Sequence, residues 1–217
     1  IRTFSWGEGP AVLFIHGWGG RGSQASYFVE ALNQAGFRVV SIDLPAHGES
    51  VGSKTAAPEM VLVLQDVVKQ IDGLHSVITH SVGGLLLSYL DRSALEIKSI
   101  AFISPPASIA KAVVHFAKDL LQLPPTVNQR FLGIIDALLS KAGLGRFSLL
   151  DQAPRITQPV LIVIDENDDV TPLDDAKDIA SKIKQCTFCQ TEGLGHRRIL
   201  RDKTTIERVV EFVSQNS

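Results

Sequence analysis

Short, continuously apolar runs that alternate with longer amphipathic patterns most limit what this chain can fold into. Strands with apolar residues at consecutive positions are typical of a parallel sheet that is covered by helices on both faces. The predicted strands are Ala11–Ile15, Phe37–Ile42, Ser76–Thr79, Ser99–Ile103, Val160–Ile164 and Cys186–Gln190. The predicted helices are Ser23–Ala35, Glu59–Ile71, Val82–Asp91, Leu173–Ile183 and Thr204–Val213. This order predicts an α/β protein with a mostly parallel, doubly wound sheet, as a single domain over residues 1–217.

Residues 107–150 interrupt this alternation, because no strand pattern occurs between the predicted strands on either side. Two apolar stripes at helical spacing, separated by Pro124 and Pro125, predict two amphipathic helices. The first stripe is Val113, Val114, Ala117, Leu120 and Leu121, and the second is Phe131, Ile134, Ile135, Leu138 and Leu139. Two interpretations of the segment stay open: a helical lid over the sheet, or a helical hairpin that only covers the core.

Charge narrows the classes of function. The 217 residues carry 21 basic and 23 acidic side chains, for a formal charge of −2. A nucleic-acid surface or a polybasic membrane contact needs a basic stripe, which this sequence lacks, so neither partner is expected. No apolar run reaches the roughly 18–20 residues that span a bilayer, and no membrane segment is expected.

The two cysteines, Cys186 and Cys189, have the C-x-x-C spacing that also occurs in zinc and redox sites. No second pair completes a zinc site, and two cysteines do not form a disulfide framework. If Gln185–Thr191 is a strand, the two side chains point to opposite faces of the sheet. We therefore predict free thiols and no bound metal. Because reduced thiols persist in the cytoplasm, we also predict a cytoplasmic location.

Loops that follow the predicted strands carry the residues capable of chemistry. Ser81 lies where a strand turns into a helix, and Trp18 lies in a glycine-rich loop after the first apolar run. Carboxylates follow another strand in Ile164–Pro172, and His196 follows the last strand in a glycine-flanked loop. Each loop alone could be an ordinary turn or solvated surface. In open α/β sheets, however, ligands bind outside the carboxyl ends of the strands, where these loops converge.

The chain order of Ser81, Asp168 and His196 is nucleophile, acid and base. In this order, and in several loop sequences, the chain resembles the α/β-hydrolase superfamily, in its serine-hydrolase branch. The matching segments are HGWGG at 16–20, DLPAHGES at 43–50, THSVGG at 79–84, and the acid and histidine loops. The resemblance covers nearly the whole chain and implies an α/β-hydrolase fold, with residues 107–150 where relatives carry a cap or lid.

The resemblance also implies a role for each site residue. Ser81 is the expected nucleophile, His196 the base, and Asp168 the acid that orients the base. The backbone N–H groups of Trp18 and Val82 are expected to form the oxyanion hole.

The sequence departs from the family pattern at two positions near the site. Thr79 stands where the family has a glycine, and its branched side chain is expected to crowd the following helix and to shift Ser81. Asp165 stands where another glycine is usual, which leaves Asp165 and Asp169 as rival acids. The spacing of Asp168 fits the family best.

Three further expectations concern the strand order and the remaining polar residues. Family members have strands ahead of the one at Ala11–Ile15, and only Ile1–Ser5 remains to supply any, so the first edge strand is expected to be missing. His47 and Asp43 are expected to organise the loop after their strand through hydrogen bonds to backbone. His80 is expected to pack rather than to titrate.

The implied activity is acyl transfer to water through a covalent intermediate on Ser81, with no metal or cofactor. Apolar side chains in the insertion, such as Phe116 and Phe131, favour a hydrophobic substrate, and its short length favours a small ester. The predicted function is therefore a carboxylesterase, although thioesterases, perhydrolases, peptidases and carbon–carbon hydrolases share the fold. The alternative is a catalytically weak protein of this fold that binds a small hydrophobic ligand, which the threonine at position 79 motivates.

Overall fold

The computed structural model of the chain describes residues 1–91, 96–115, 122, 124–141 and 147–217, and for residues 114, 115 and 139 it describes the backbone alone. A seven-stranded sheet forms the centre of these residues. Its strands are β1 (Arg2–Trp6), β2 (Ala11–Ile15), β3 (Arg38–Asp43), β4 (Leu74–His80), β5 (Ser99–Ile103), β6 (Val160–Asp165) and β7 (Cys186–Thr191). They lie in the order β1-β3-β2-β4-β5-β6-β7, with β1 antiparallel to β3 and the other neighbours parallel.

The central strands are buried on both faces, which explains their unbroken apolar sequences. On β2, Leu13 and Ile15 belong to a core on one side of the sheet, while Val12 and Phe14 belong to a second core on the other side. All four side chains are at most 1% exposed. A sheet with one solvated face would show polar residues at alternate positions instead. The predicted mostly parallel, doubly wound sheet is confirmed.

Helices supply the layers on the two faces. They are α1 (Ser26–Gln34), α2 (Ala57–Val68), α3 (Val82–Ser88), α4 (Ile109–His115), α5 (Pro125–Lys141), α6 (Leu149–Gln152), α7 (Leu173–Lys182), α8 (Gly195–Arg198) and α9 (Lys203–Gln215). Proline sets the start of two predicted helices, because Pro58 lies in the first turn of α2 and Pro172 directly precedes α7. Within the described ranges, no helix is both long enough and apolar enough to cross a bilayer.

The residues ahead of β2 form one edge strand, β1, and the expected absence of the family's first edge strand stays a prediction. β1 pairs with β3 from Arg2 opposite Asp43 to Trp6 opposite Val39. Its side chains are exposed or half-buried, so an edge strand of this kind leaves no apolar run in the sequence. Phe4 and Trp6 stack on one face of β1 with their ring centroids 5.9 Å apart.

The insertion at 107–150 is helical where it is described, in α4, α5 and the short α6. Ile135 on α5 packs against the core, whereas Phe131, Ile134 and Leu138 are exposed. Phe116, Ala117, Leu120 and Leu121, and the side chains of Val114 and Leu139, lie outside the described residues. The two predicted helices are thus present in part, and a lid function for the segment stays a prediction.

The two cysteines are free thiols on β7, as predicted. Cys186 packs against the core on one face of the sheet, and Cys189 belongs to the core on the other face. Burial raises the pKa of the Cys186 thiol to about 11. This thiol therefore stays protonated and unreactive at neutral pH.

Candidate active site

Ser81 occupies the sharp turn between β4 and α3. Its backbone has φ +51° and ψ −126°, a conformation that costs a residue other than glycine about 1–3 kcal/mol. The turn is held in part by the N–H of Ser81, which donates to the carbonyl of Ile103 on β5 at 2.9 Å. The serine is thus fixed at the carboxyl end of a central strand, where the loops of a parallel sheet converge.

Thr79 is accommodated without loss of this turn conformation. A Cβ on Gly84 of α3 would lie 3.0 Å from Thr79 Oγ1 and 2.8 Å from the Phe102 ring, so the glycine leaves the space that the branched side chain needs. Among the described residues, Thr79 Oγ1 has no hydrogen-bond partner. Leaving a buried hydroxyl unpaired costs about 1–3 kcal/mol. Thr79 therefore does not displace Ser81 from the strained turn, but its own hydroxyl is left without a hydrogen bond to any described residue.

His196 and Asp168 form a buried pair. Nδ1 of His196 lies 2.9 Å from Oδ2 and 3.0 Å from Oδ1 of Asp168. The two side chains are 9% and 0% exposed. Because an ionised carboxylate only accepts hydrogen bonds, Nδ1 carries a proton, and Nε2 of the neutral ring keeps its lone pair. His196 lies in the short helix α8 rather than in the open loop that the sequence suggests.

The surroundings of Asp168 favour its ionised form. Burial raises the pKa of this carboxyl, but the hydrogen bond and charge of His196 and the N–H of Thr171 outweigh it, so the pKa lies below its usual value. The N–H groups of Val170 and Thr171 donate to Oδ1 at 2.9 and 2.8 Å. Ser104 contributes to the lowered pKa from nearby, although its Oγ has no partner in hydrogen-bond geometry within the described chain. The carboxylate can therefore stabilise a positive charge on His196.

The two rival acids, Asp165 and Asp169, form no hydrogen bond with His196 within the residues that the structure describes, and they lie in different surroundings. Asp165 accepts hydrogen bonds from the Thr191 hydroxyl at 2.7 Å and from the N–H of Leu194 at 3.0 Å. It therefore ties the loop after β6 to the loop after β7. Asp169 is exposed to solvent. Of the three candidate acids, Asp168 is the one that contacts the histidine.

His80, directly before Ser81, supports His196 from a second side. The centroids of the two imidazole rings lie 4.7 Å apart, and Nε2 of His80 donates to the carbonyl of His196 at 2.8 Å. Burial, helped by the neighbouring His196, lowers the pKa of His80 to about 3. The ring therefore stays neutral at physiological pH and packs rather than titrates. Its hydrogen bond to a residue far along the chain left no signal in the sequence.

This contact places His196 against the residue that directly precedes Ser81. Among the hydrogen bonds of the described residues, none joins the Ser81 hydroxyl to the His196 ring. Catalytic hydrogen bonds are often long in a free enzyme and tighten when substrate binds. The absence of this hydrogen bond therefore does not exclude Ser81 and His196 from acting as a pair.

The loop at 16–20 packs directly against the serine. A Cβ on Gly17 would lie 2.8 Å from Cβ of Ser81, so only glycine permits this approach. In the described part of the chain, the N–H of Trp18 has no acceptor, and neither has that of Val82, which opens α3. Two unpaired N–H groups that border a serine can stabilise a negatively charged oxygen.

Asp43 organises the loop that follows β3, as predicted. Its Oδ2 accepts the N–H of Glu49 at 2.8 Å, and its Oδ1 accepts the N–H of Gly22 at 2.6 Å. A Cβ on Gly48 would lie 2.2 Å from the carboxylate, and Gly48 has φ +52°. Both the space and the backbone conformation therefore require glycine at this position.

The chain is similar to known hydrolases in sequence and in fold. The family model described as "Alpha/beta hydrolase family" matches residues 12–208. A pimeloyl-[acyl-carrier protein] methyl ester esterase of Vibrio atlanticus is 26% identical over an alignment of 236 positions, which covers 87% of this chain and 90% of the relative. The Vibrio campbellii protein of the same name is 37% identical over an alignment of 143 positions, which covers 60% of this chain and 54% of that relative. The structure of a monoacylglycerol lipase from Paleococcus ferrophilus shares the fold, with a TM-score of 0.73 and 21% identity over 100% of this chain and 99% of that one.

Proposed function

The chain belongs to the alpha/beta hydrolase family, and from this premise we propose that it is a serine carboxylesterase that uses Ser81, His196 and Asp168. The observation that carries the proposal is the buried Asp168–His196 pair, whose histidine contacts the residue directly before a serine in a strained turn. This is the arrangement that nucleophilic acyl transfer needs: a nucleophile, a base, and a third group that orients the base. The names of the relatives support ester hydrolysis in particular.

In the proposed mechanism, Nε2 of His196 takes the proton of Ser81 as Oγ attacks the ester carbonyl. The N–H groups of Trp18 and Val82 receive the oxyanion that forms, and Asp168 stabilises the charged imidazole. His196 then gives its proton to the leaving alcohol, which departs and leaves an acyl group on Ser81. Water attacks this acyl-enzyme by the same steps, which releases the acid and restores the serine.

We propose as substrate a small ester of a short alcohol with an aliphatic acyl chain. Both Vibrio relatives are named as esterases of a methyl ester, which makes methyl esters of medium-chain acids the first substrates to try. Residues 107–150 are proposed to form the lid that selects the acyl group. The apolar side chains of α5, which include Phe131 and Ile134, support a hydrophobic partner for this segment.

A fluorophosphonate probe tests the activated serine directly. The wild-type protein should be labelled, Ser81→Ala should not, and His196→Ala and Asp168→Asn should be labelled much more slowly. Ser88→Ala, a buried serine of α3 that donates to the carbonyl of Leu85, is the matched control and should be labelled like the wild type. Hydrolysis of p-nitrophenyl esters of increasing chain length then measures the acyl preference.

A folded wild-type protein that is not labelled would favour the alternative, a ligand-binding protein of the same fold. The main motivation for that alternative was the threonine at position 79, and the intact turn at Ser81 weakens it. We also propose a cytoplasmic location, which the free thiols of Cys186 and Cys189 support. Fractionation of the source cells would test it, and recovery of the protein outside the cytoplasm would contradict it.

A further inference from the structure

His47 contacts the tip of the 16–20 loop, which carries one of the proposed oxyanion donors. The N–H of Gly19 lies 3.0 Å from Nε2 of His47, and the carbonyl of Pro45 lies 2.9 Å from Nδ1. Because an N–H only donates and a carbonyl only accepts, both bonds exist together in a single state of the ring. That state is the neutral imidazole with its proton on Nδ1. The ring also meets the Trp18 indole edge-on, with the centroids 5.4 Å apart.

The tip of this loop, Trp18 and Gly19, is closed by a turn in which the N–H of Gly20 donates to the carbonyl of Gly17 at 3.0 Å, but its side chains add little packing. A Cβ on Gly19 would meet nothing within 4 Å, and the Trp18 side chain is 59% exposed. Gly19 has φ +69°, and glycine adopts positive and negative φ with similar ease. The conformational preference of Gly19 therefore does not by itself fix the backbone here. The hydrogen bond to His47 therefore adds a side-chain restraint to the backbone hydrogen bond that closes the turn.

The hydrogen bond acts on the peptide unit that follows Trp18. The N–H of Trp18 itself lies in the unit that precedes Trp18, whose carbonyl, that of Gly17, accepts from Nδ1 of His16 at 2.7 Å and from the N–H of Gly20 at 3.0 Å. The two units meet at Cα of Trp18, so the His47 hydrogen bond limits the torsions between them and adds to the bonds that keep the preceding unit, and with it the Trp18 N–H, in one orientation. A fixed N–H direction is what an oxyanion donor needs, because a donor that must reorient stabilises the transition state less.

The base of the loop is anchored by different side chains. Nε2 of His16 accepts the N–H of Leu44 at 3.0 Å, and Oδ1 of Asp43 accepts the N–H of Gly22 at 2.6 Å. Both acceptor side chains are buried, and burial lowers the pKa of His16 to about 4, which keeps its ring neutral. Among the described side chains, His47 is the one that hydrogen-bonds to the tip.

We infer that His47 is a positioning residue, which holds the 16–20 loop so that the N–H of Trp18 points at the oxyanion formed on Ser81. The inference rests on the proposed esterase function. Removing an oxyanion donor typically lowers kcat about 10²–10³-fold. Loosening a donor costs less, so loss of the His47 bond should lower kcat about 10–100-fold and change KM less than about threefold.

Two substitutions separate the hydrogen bond from the bulk of the ring. His47→Leu fills similar space without an acceptor, whereas His47→Gln keeps an acceptor, Oε1, at a similar reach. His75→Leu is the control, because His75 is a half-buried histidine at the start of β4, at the opposite end of the sheet from Ser81. We expect the large loss of kcat in His47→Leu, substantial recovery in His47→Gln, and wild-type kcat in His75→Leu. Amide exchange of Gly19, measured by NMR, should be faster in His47→Leu than in the other proteins.

A merely structural role predicts a different result. It would lower the melting temperature of both His47 variants and leave kcat of the folded fraction unchanged. A folded His47→Leu with wild-type kcat would overturn the inference, and so would a His47→Gln as slow as His47→Leu. If His47→Leu does not fold, His47→Gln is compared with His75→Leu instead. A kcat and a Gly19 exchange rate in His47→Gln close to those of His75→Leu would support the inference, and a much lower kcat would overturn it. If Ser81 is not labelled in a folded wild type, the proposed function fails, and Gly19 exchange still shows whether the hydrogen bond exists.

Discussion

Acid should destabilise this protein through His80, and replacing His80 with glutamine should remove part of that sensitivity. The buried ring donates to the carbonyl of His196, and its pKa is lowered from 6.5 to about 3. In the unfolded chain the same imidazole is free to titrate near 6.5. Between these two pH values the unfolded chain binds a proton that the folded chain does not. The free energy of unfolding therefore falls as the pH falls through this window.

The magnitude follows from the width of the window. One such group contributes about 1.4 kcal/mol per pH unit below pH 6.5, so at pH 4.5 the loss is about 2–3 kcal/mol. That is a large part of a typical stability of about 5–15 kcal/mol. Glutamine can donate from Nε2 to the same carbonyl of His196 but does not titrate. His80→Gln should therefore lose about 2–3 kcal/mol less than the wild type between pH 8 and pH 4.5.

Urea unfolding, followed by tryptophan fluorescence at several pH values, measures the two free-energy curves. We expect the wild-type curve to fall more steeply on acidification than the His80→Gln curve. His16, with a pKa of about 4, is present in both proteins and cancels in the difference. His75→Gln is a control in which the half-buried ring, whose pKa is lowered less, should give a smaller change of slope. Parallel curves for the wild type and His80→Gln would refute the reasoning.

Three other substitutions test the geometry of the site. Asp168→Asn should lower kcat about 10³–10⁴-fold, because the amide favours the wrong tautomer of the histidine; steady-state kinetics would show this, and a wild-type rate would contradict the pairing. Ser81→Gly should abolish hydrolysis and raise the free energy of unfolding by about 1 kcal/mol, since glycine relieves the strained turn. No gain in urea unfolding would mean that the turn is not strained. Gly84→Ala places a Cβ 2.8 Å from the Phe102 ring and should destabilise the fold by about 1–3 kcal/mol. An unchanged melting temperature would show that α3 yields at no cost.

The sheet could be predicted from the sequence, and the candidate site residues could be proposed from it, because both leave local patterns. Strands such as β2 are apolar at every position, since both of their faces are buried. Ser81 and Asp168 lie in loops directly after strands, where spacing along the chain is informative. β1 could not be predicted in this way, because an exposed edge strand needs no apolar run.

The supporting contacts of the site could not be predicted, because they join residues that are far apart in the chain. His80 contacts His196 across 116 positions, and His47 contacts Gly19 across 28. Nothing in the local sequence of either histidine indicates its partner. The spacing along the chain already favours Asp168 over Asp165, and the tertiary contacts of the two carboxylates add that Asp168 contacts His196 whereas Asp165 accepts from Thr191.

The contact between His80 and His196 also has a consequence for refolding. The turn at Ser81 follows β4, at the middle of the sheet, whereas His196 follows β7, at its edge. A contact of such long sequence separation forms only after the intervening chain has lost much of its freedom, and non-local contacts form slowly. We expect the central strands to bury their side chains before the C-terminal part of the chain docks. Recovery of fluorophosphonate labelling after dilution from urea would then lag behind the fluorescence change and would report completion of the sheet.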